Sequence, residues 1–141
     1  MSERYLRSIR LLAECVQQFE KLSDSHIRQF DLTHAQFDII ATLGNTPGFS
    51  CKELGEKTLI TKGTLTGVLD RLQAKKLIER VQCSADRRRN YVRLTEQGTQ
   101  LFEQAFPYVI QMMKPHFKHY DNDDFSALEQ QLTRLKTSIG G

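Results

Sequence analysis

Two short helical patterns lie side by side between Ser50 and Lys76, and they constrain the fold of this chain more than any other feature. Ser50 and Glu53 occupy the positions of a capping box, which predicts that a helix begins at SCKELGEK. A second helix is predicted in TKGTLTGVLDRLQAKK, with Thr61 as its cap. Its predicted buried face has four apolar residues at helical spacing: Leu65, Val68, Leu69 and Leu72. Because only a few residues separate them, the two helices are predicted to form a helix-turn-helix.

A predicted strand pair follows the second helix. LIERVQC reads as one strand, and NYVRL alternates Tyr91 and Arg93 on one side with Val92 and Leu94 on the other. The stretch SADRRRN between the strands then forms the tip of a β-hairpin. Three arginines stand at this tip directly after an aspartate: Asp86, Arg87, Arg88 and Arg89.

Helices are also predicted on both sides of this central segment. A first helix extends to about Phe30, and Thr33 with Gln36 forms a capping box for the second, which Gly44 and Asn45 close. The stripe of the first helix steps by four and three residues through Tyr5, Ile9, Leu12, Val16 and Phe19.

After the hairpin, Thr95 is predicted to cap a long helix that runs to about Tyr120. Pro107 and Pro115 should bend or interrupt it. DNDDF starts a final helix, whose apolar residues are Phe125, Leu128, Leu132, Leu135 and Ile139.

The resulting fold is mainly α with a small β-hairpin. Residues 33–95 are predicted to form a winged helix-turn-helix region. Residues 1–32 and 96–141 carry long apolar faces that this small region cannot cover, so burial against a second copy is the simplest arrangement. The prediction is one intertwined domain whose outer helices form a dimerisation region.

The charge distribution favours a polyanionic partner for the middle of the chain. Between Ser50 and Thr95 there are eleven Lys or Arg residues and five acidic residues, a net charge of +6, so the overall +3 leaves −3 for the rest. The apolar runs are too short to span a membrane, and no signal peptide is recognisable, which predicts a cytoplasmic protein.

The combined motifs resemble the MarR family of winged-helix transcriptional regulators. The resemblance is carried by Leu32-Thr33 with Gln36, by LDRL and LIER at residues 69–72 and 77–80, by Asp86-Arg87-Arg88, and by LTEQG at residues 94–98. It implies a homodimer that presents two winged helices to double-stranded DNA at a palindromic operator. It also implies a repressor released by a small lipophilic or phenolic effector.

The predicted DNA contacts fall into two groups. The polar residues opposite the apolar face of the fourth helix are assigned to the major groove or its phosphates: Lys62, Thr64, Thr66 and Arg71. The resemblance assigns Arg88 to the minor groove, helped by Arg87 and Arg89, and gives Asp86 the role of steadying the wing by pairing with an arginine. A guanidinium also suits the enhanced negative potential of a narrow minor groove.

Several other interpretations compete with DNA binding. His116-x-x-His119 has the spacing of helical neighbours, but neither a cysteine nor a carboxylate cluster joins it, so no metal or other cofactor is predicted. Cys15 is interpreted as a packed helix residue rather than a redox sensor. The sequence lacks a recognisable catalytic constellation, which predicts a non-enzyme. The rival function is a winged-helix module that binds a protein or an acidic surface, and Gly63 and Gly67 in the fourth helix favour it.

Overall fold

The computed structural model describes residues 3–82 and 90–140. In this part of the chain, four helices are followed by a hairpin and two further helices, which confirms the predicted order and the mainly α fold. The α-helices are α1 (Arg4–Ile27), α2 (His34–Leu43), α3 (Cys51–Thr58), α4 (Lys62–Ala74), α5 (Glu96–Met113) and α6 (Asn122–Gly140). The strands are β1 (Phe49–Ser50), β2 (Ile78–Gln82) and β3 (Asn90–Leu94), and short 3-10 turns occupy Arg28–Phe30 and Lys114–Phe117.

Side-chain caps fix several helix starts. The predicted capping boxes of Thr33 with Gln36 and of Ser50 with Glu53 are both formed. At the start of α5, the backbone N–H of Gly98 donates to Thr95 Oγ1 over 3.0 Å, as expected for a threonine cap. These caps satisfy backbone donors that lack partners inside the helix.

One predicted helix end is confirmed in position and another is wrong. Thr61 is the N-cap residue of α4, as predicted, but its side chain makes no capping bond to the helix backbone; its hydroxyl donates instead to Thr64 Oγ1 over 3.1 Å. The long helix ends as an α-helix at Met113 rather than near Tyr120, because Pro115 lies in the 3-10 turn that follows. Pro107 lies inside α5 and does not interrupt it. A proline lacks a backbone donor, so α5 continues past Pro107 with one hydrogen bond fewer.

The sheet contains a third strand that was not predicted. β1 pairs with β3 in antiparallel register, Phe49 opposite Val92, and β3 pairs with β2, which gives the strand order β1-β3-β2. Within β3, Val92 is fully buried and Arg93 is exposed, as the alternation predicts. At two residues, β1 is too short to show a repeating pattern in the sequence.

The core of the first compact unit, Met1–Val109, is formed by side chains from the end of α1, from α2, α3 and α4, from the sheet and from α5. The largest of its side chains that are less than 2% exposed are all aliphatic: Ile27, Ile39, Ile40, Leu43, Leu54, Leu69, Leu72, Ile78 and Val92. The four predicted core residues of α4 are all buried. Helix α4 is therefore held by one face only.

The end of α4 is fastened to α5 and α2. Lys76 has a left-handed φ of 64° and turns the chain into β2, so the helix ends without the usual glycine. Its carbonyl accepts from the Thr95 hydroxyl over 2.7 Å, and the carbonyl of Leu77 accepts from the Thr95 N–H over 3.1 Å. Lys75 Nζ donates to the carbonyl of Asp31 and to Gln36 Oε1. Gln36 is also the partner of Thr33 in the capping box that begins α2.

The second compact unit comprises Ile110–Gly141. Asp121 and Asp124 each accept the backbone N–H of the other, at 2.8 and 3.0 Å, which fixes the start of α6. The ring of Phe125 packs against Phe117 and Tyr120, with centroids 6.2 and 5.3 Å away. Within the described residues, no helix combines the length and apolar character needed to cross a bilayer.

Candidate nucleic-acid interface

Helix α4 exposes one polar face. Leu65, Val68, Leu69 and Leu72 point into the core, each no more than 6% exposed. The four residues assigned to DNA from the sequence are all exposed: Lys62, Thr64, Thr66 and Arg71. The buried leucines hold the helix axis in place, so these side chains are presented on a rigid support.

The same exposed face carries two glycines. A Cβ atom added at Gly63 or at Gly67 would meet no atom of the described chain within 4 Å. Packing within the chain therefore does not require either glycine. Each weakens the helix relative to alanine, by roughly 1 kcal/mol.

The turn between α3 and α4 is held by the backbone and by Thr58. The N–H of Leu59 donates to the Gly55 carbonyl over 3.0 Å, and the N–H of Ile60 donates to Thr58 Oγ1 over 3.4 Å. Leu59 takes a left-handed conformation, with φ 61° and ψ 15°, and closes α3. The turn thereby fixes the direction in which α4 begins.

The hairpin is tied to α4 by an ion pair that the sequence analysis missed. Arg80 on β2 donates to Asp70 on α4 over 3.0 Å, and across the strands Arg93 pairs with Glu79 at 2.6 Å. LDRL and LIER contain the first pair, but their spacing alone does not show that the two side chains meet. Each pair combines one carboxylate with one cation, so the net positive charge of the basic segment is unchanged.

The predicted wing residues Asp86, Arg87, Arg88 and Arg89 lie outside the described residues. Their assignment to the minor groove and to wing support therefore stays a prediction. The described strands bring the chain to Gln82 and back from Asn90, and these two residues are paired in β2 and β3.

A cleft of about 800 Å³ opens between α3, α4 and the hairpin. Its walls include Thr66 from α4, Arg80 from β2, and Cys51 from the first turn of α3. Lys62 and Thr66 both line this cleft and are exposed.

A polar cluster joins α1 to α2. Ser23 is buried, and its Oγ lies 3.1 Å from His34 Nδ1. Burial raises the pKa of the Asp38 carboxyl above its ordinary value; the charge of His34 acts against this shift and that of Glu20 adds to it. No sequence motif marked this cluster, since its members are separated along the chain.

Among the described residues, the cysteines and histidines give no further site. The packing predicted for Cys15 is wrong in the single chain, because Cys15 is exposed on α1, where its stripe neighbours Val16 and Phe19 are also exposed. His116 lies in a 3-10 turn, not on an α-helix. Across residues 3–82 and 90–140, no group of three or more His, Cys, Asp or Glu side chains could hold a metal ion. The absence of a metal site stays a prediction.

A helix-turn-helix with a polar recognition face, followed by an antiparallel hairpin, defines a winged-helix DNA-binding protein. The model of the MarR family matches residues 30–89. An uncharacterized HTH-type transcriptional regulator of Bacillus cereus is 32% identical over 128 residues, which cover 91% of this chain and 82% of the relative. The chain belongs to the MarR family of transcriptional regulators.

Solved structures agree with this assignment. A MarR mutant from E. coli in complex with operator DNA has a TM-score of 0.83 and 26% identity, and the match covers 96% of this chain and 97% of that one. BpsR of Bordetella bronchiseptica, whose DNA binding is regulated by 6-hydroxynicotinic acid, has a TM-score of 0.79 and 28% identity. That match covers 92% of this chain and 98% of BpsR.

Proposed function

We propose that this regulator is a homodimeric repressor that binds a palindromic operator and is released by a small lipophilic or phenolic effector. The observation that carries the proposal is the exposed polar face of α4 on its buried aliphatic support. Lys62, Thr64, Thr66 and Arg71 contact the major groove or its phosphates, and Arg88, helped by Arg87 and Arg89, contacts the minor groove. Asp86 steadies the wing. The MarR mutant with operator DNA supports this docking by likeness of fold.

Dimerisation is supported by the apolar residues that the single chain leaves exposed. On α1, Tyr5 is 63% and Val16 is 51% exposed, and on α6 Leu128 is 44% and Ile139 is 68% exposed. Exposed apolar stripes of this length are typical of subunit interfaces. A twofold dimer places two copies of α4 on one face of the duplex, which requires inverted half-sites with centres about 34 Å apart.

Release by an effector is supported by a relative. BpsR is regulated by 6-hydroxynicotinic acid, an aromatic hydroxy acid, and its fold covers nearly the whole of this chain. The effector of this chain would belong to the same broad class of small aromatic compounds.

The test is a competition experiment. Fragments of the source genome are selected on the purified protein, and their binding is then compared with that of scrambled duplex over a series of salt concentrations. A repressor of a defined operator keeps its preference for one inverted repeat as salt rises, because base contacts depend on salt less than phosphate contacts do. Equal decline on all sequences would reject specific operator binding.

A second candidate function is a winged-helix module that binds a protein partner and has lost operator preference. Gly63 and Gly67 favour it, because they leave α4 without side chains at two positions of its exposed surface. In the same experiment this module would show weak binding without sequence preference.

A further inference from the structure

One apolar side chain stands fully in solvent at the start of the proposed DNA-reading helix. Leu59 is 86% exposed, more than any other large hydrophobic residue of the described chain. It lies in the turn between α3 and α4, three positions before Lys62. A single exposed leucine is ordinary on a protein surface, so exposure alone indicates nothing.

The backbone of Leu59 makes the position unusual. Four non-glycine residues of the described chain have positive φ: Asp31, Asn45, Leu59 and Lys76. The other three are polar or charged, and aspartate and asparagine tolerate the left-handed region best. Leu59 is the only apolar member of the group. A leucine here is unfavourable for the backbone, and its side chain gains little burial in the single chain.

The hydrogen bonds of the turn fix where Leu59 points. Its own N–H is bound to the Gly55 carbonyl, and the next N–H is bound to the Thr58 hydroxyl. The side chain is therefore held outward by a rigid turn rather than carried on a loose loop. Ordering this group on binding consequently costs little entropy.

The surroundings of Leu59 favour DNA over a protein partner. Lys57, Thr61, Lys62 and Thr64 all lie within five positions of Leu59 in the chain and are exposed. A protein hot spot would need a cluster of apolar or aromatic residues, whereas this surface is one leucine among cations and hydroxyls. The major groove provides a partner for each kind of group. Its phosphates pair with the lysines, and the thymine methyl is an apolar group on its floor that suits the leucine.

We propose that Leu59 is a specificity-determining residue that packs against a thymine methyl group in each half-site of the operator. The inference rests on the proposed function, in which α4 lies in the major groove. Leu59 thus adds an apolar contact next to the hydrogen-bonding contacts of Lys62 and Thr64.

The test combines protein variants with modified DNA. Leu59→Gly removes the side chain and relieves the left-handed strain, so the variant should fold at least as stably as the unsubstituted protein. Asn45→Gly is the matched control, because it makes the same backbone change, without a change of charge, in the turn after α2. Each thymine of the selected operator is replaced in turn by deoxyuridine, which lacks only the methyl group.

The expected result has two parts. The unsubstituted protein loses about fourfold in affinity per half-site when one thymine of that half-site lacks its methyl, as expected for one buried methyl group. Leu59→Gly binds the operator about tenfold more weakly per half-site, keeps its binding to scrambled duplex, and no longer responds to that deoxyuridine. Asn45→Gly behaves like the unsubstituted protein in all three measurements.

Three results would overturn the inference. Leu59→Gly could bind the operator with unchanged affinity, could weaken operator and scrambled duplex equally, or could respond to deoxyuridine as the unsubstituted protein does. In each case the leucine has another role, such as contact with a protein. Failure of the proposed function is distinguishable, because the unsubstituted protein would then show no operator preference at all.

Discussion

At the scale of single residues, the glycines of this chain serve opposite purposes. A Cβ at Gly98 would lie 2.0 Å from the carbonyl oxygen of Leu77, which is backbone and cannot rotate away. At Gly63 and Gly67 the same atom would meet nothing within 4 Å. The first glycine is required by close packing of α5 on the turn after α4, and the other two are not required by any packing within the described chain.

We predict that Gly98→Ala lowers the free energy of unfolding by about 3 kcal/mol, because α5 must move away from the Leu77 carbonyl and strain its neighbours. Gly67→Ala is the matched control and should raise stability, by roughly 0.5–1 kcal/mol, through the better helix propensity of alanine. Urea denaturation followed by circular dichroism measures both. Equal stability of Gly98→Ala and the unsubstituted protein would show that the close approach is absent.

Asp38 should make stability depend on pH. Because the folded state raises the pKa of this carboxyl, it binds the proton more tightly than the unfolded chain does. The contribution to stability is therefore fully present below the ordinary aspartate pKa, and it is lost as pH rises through the raised value.

Asp38→Asn has no ionisable group at this position. Its free energy of unfolding should therefore decline less from acidic to neutral pH than that of the unsubstituted protein. The measurement is a series of urea titrations from acidic to neutral pH. If the variant and the unsubstituted protein lose stability in parallel over the acidic range, the burial of Asp38 does not control the slope.

At the scale of elements, α4 and the wing are proposed to make different kinds of contact. Arg88→Ala should weaken binding to operator and scrambled duplex together and lower the salt slope by about one unit per lost phosphate-equivalent contact. Asp86→Ala should act in the same direction but less strongly, since it removes a support.

A variant of α4 should behave differently from these wing variants. Thr64→Ala or Lys62→Ala should reduce the preference for operator over scrambled duplex, by roughly 1–3 kcal/mol if the side chain reads a base edge.

The measurement is competition binding of each variant to both duplexes across a salt series, and circular dichroism confirms that the variants are folded. If folded Arg88→Ala binds both duplexes as tightly as the unsubstituted protein, the proposed minor-groove contact is rejected. The arginine cluster would then be a solvated turn. A uniform loss on both duplexes by Thr64→Ala would assign Thr64 to the phosphates.

The sequence predicts elements well where local chemistry determines them. The boxes at Thr33 and Ser50 depend on residues three apart, and the buried face of α4 depends on helical spacing alone, so each was readable directly. The end of α5 was misplaced because a proline near a helix end can be absorbed by a 3-10 turn. β1 and the Asp70–Arg80 pair depend on tertiary contacts, for which a single sequence carries little signal.

At the scale of the whole molecule, the exposed apolar stripes of α1 and α6 predict that the chain does not remain monomeric. Deleting residues 1–20 or 121–141 should cause dissociation or aggregation, because each deletion removes part of the proposed interface and leaves the rest uncovered. Light scattering measures the mass of the full-length and truncated proteins. A full-length chain that is monomeric at micromolar concentration would contradict the proposed dimer.

The environment of Cys15 is also decided at the scale of the whole molecule. The apolar spacing around it correctly marks a stripe to be covered, but the single chain leaves that stripe in solvent. A sequence shows that a face is apolar without showing which molecule covers it. Covering by a second copy would place Cys15 in a packed environment after all.

The two ends of α4 are held very differently. Its last turn is fastened on two sides, by Lys75 to Asp31 and Gln36, and by the carbonyls after it to Thr95. Its first turn has no side-chain cap, since the Thr61 hydroxyl is bound to Thr64 instead. Because the buried leucines hold the helix axis in place, this difference concerns only the side chains of the first turn. The exposed Thr61 and Thr64 hydroxyls are bound to each other and not to the helix backbone, so a DNA base or phosphate can replace that bond without removing a cap from α4.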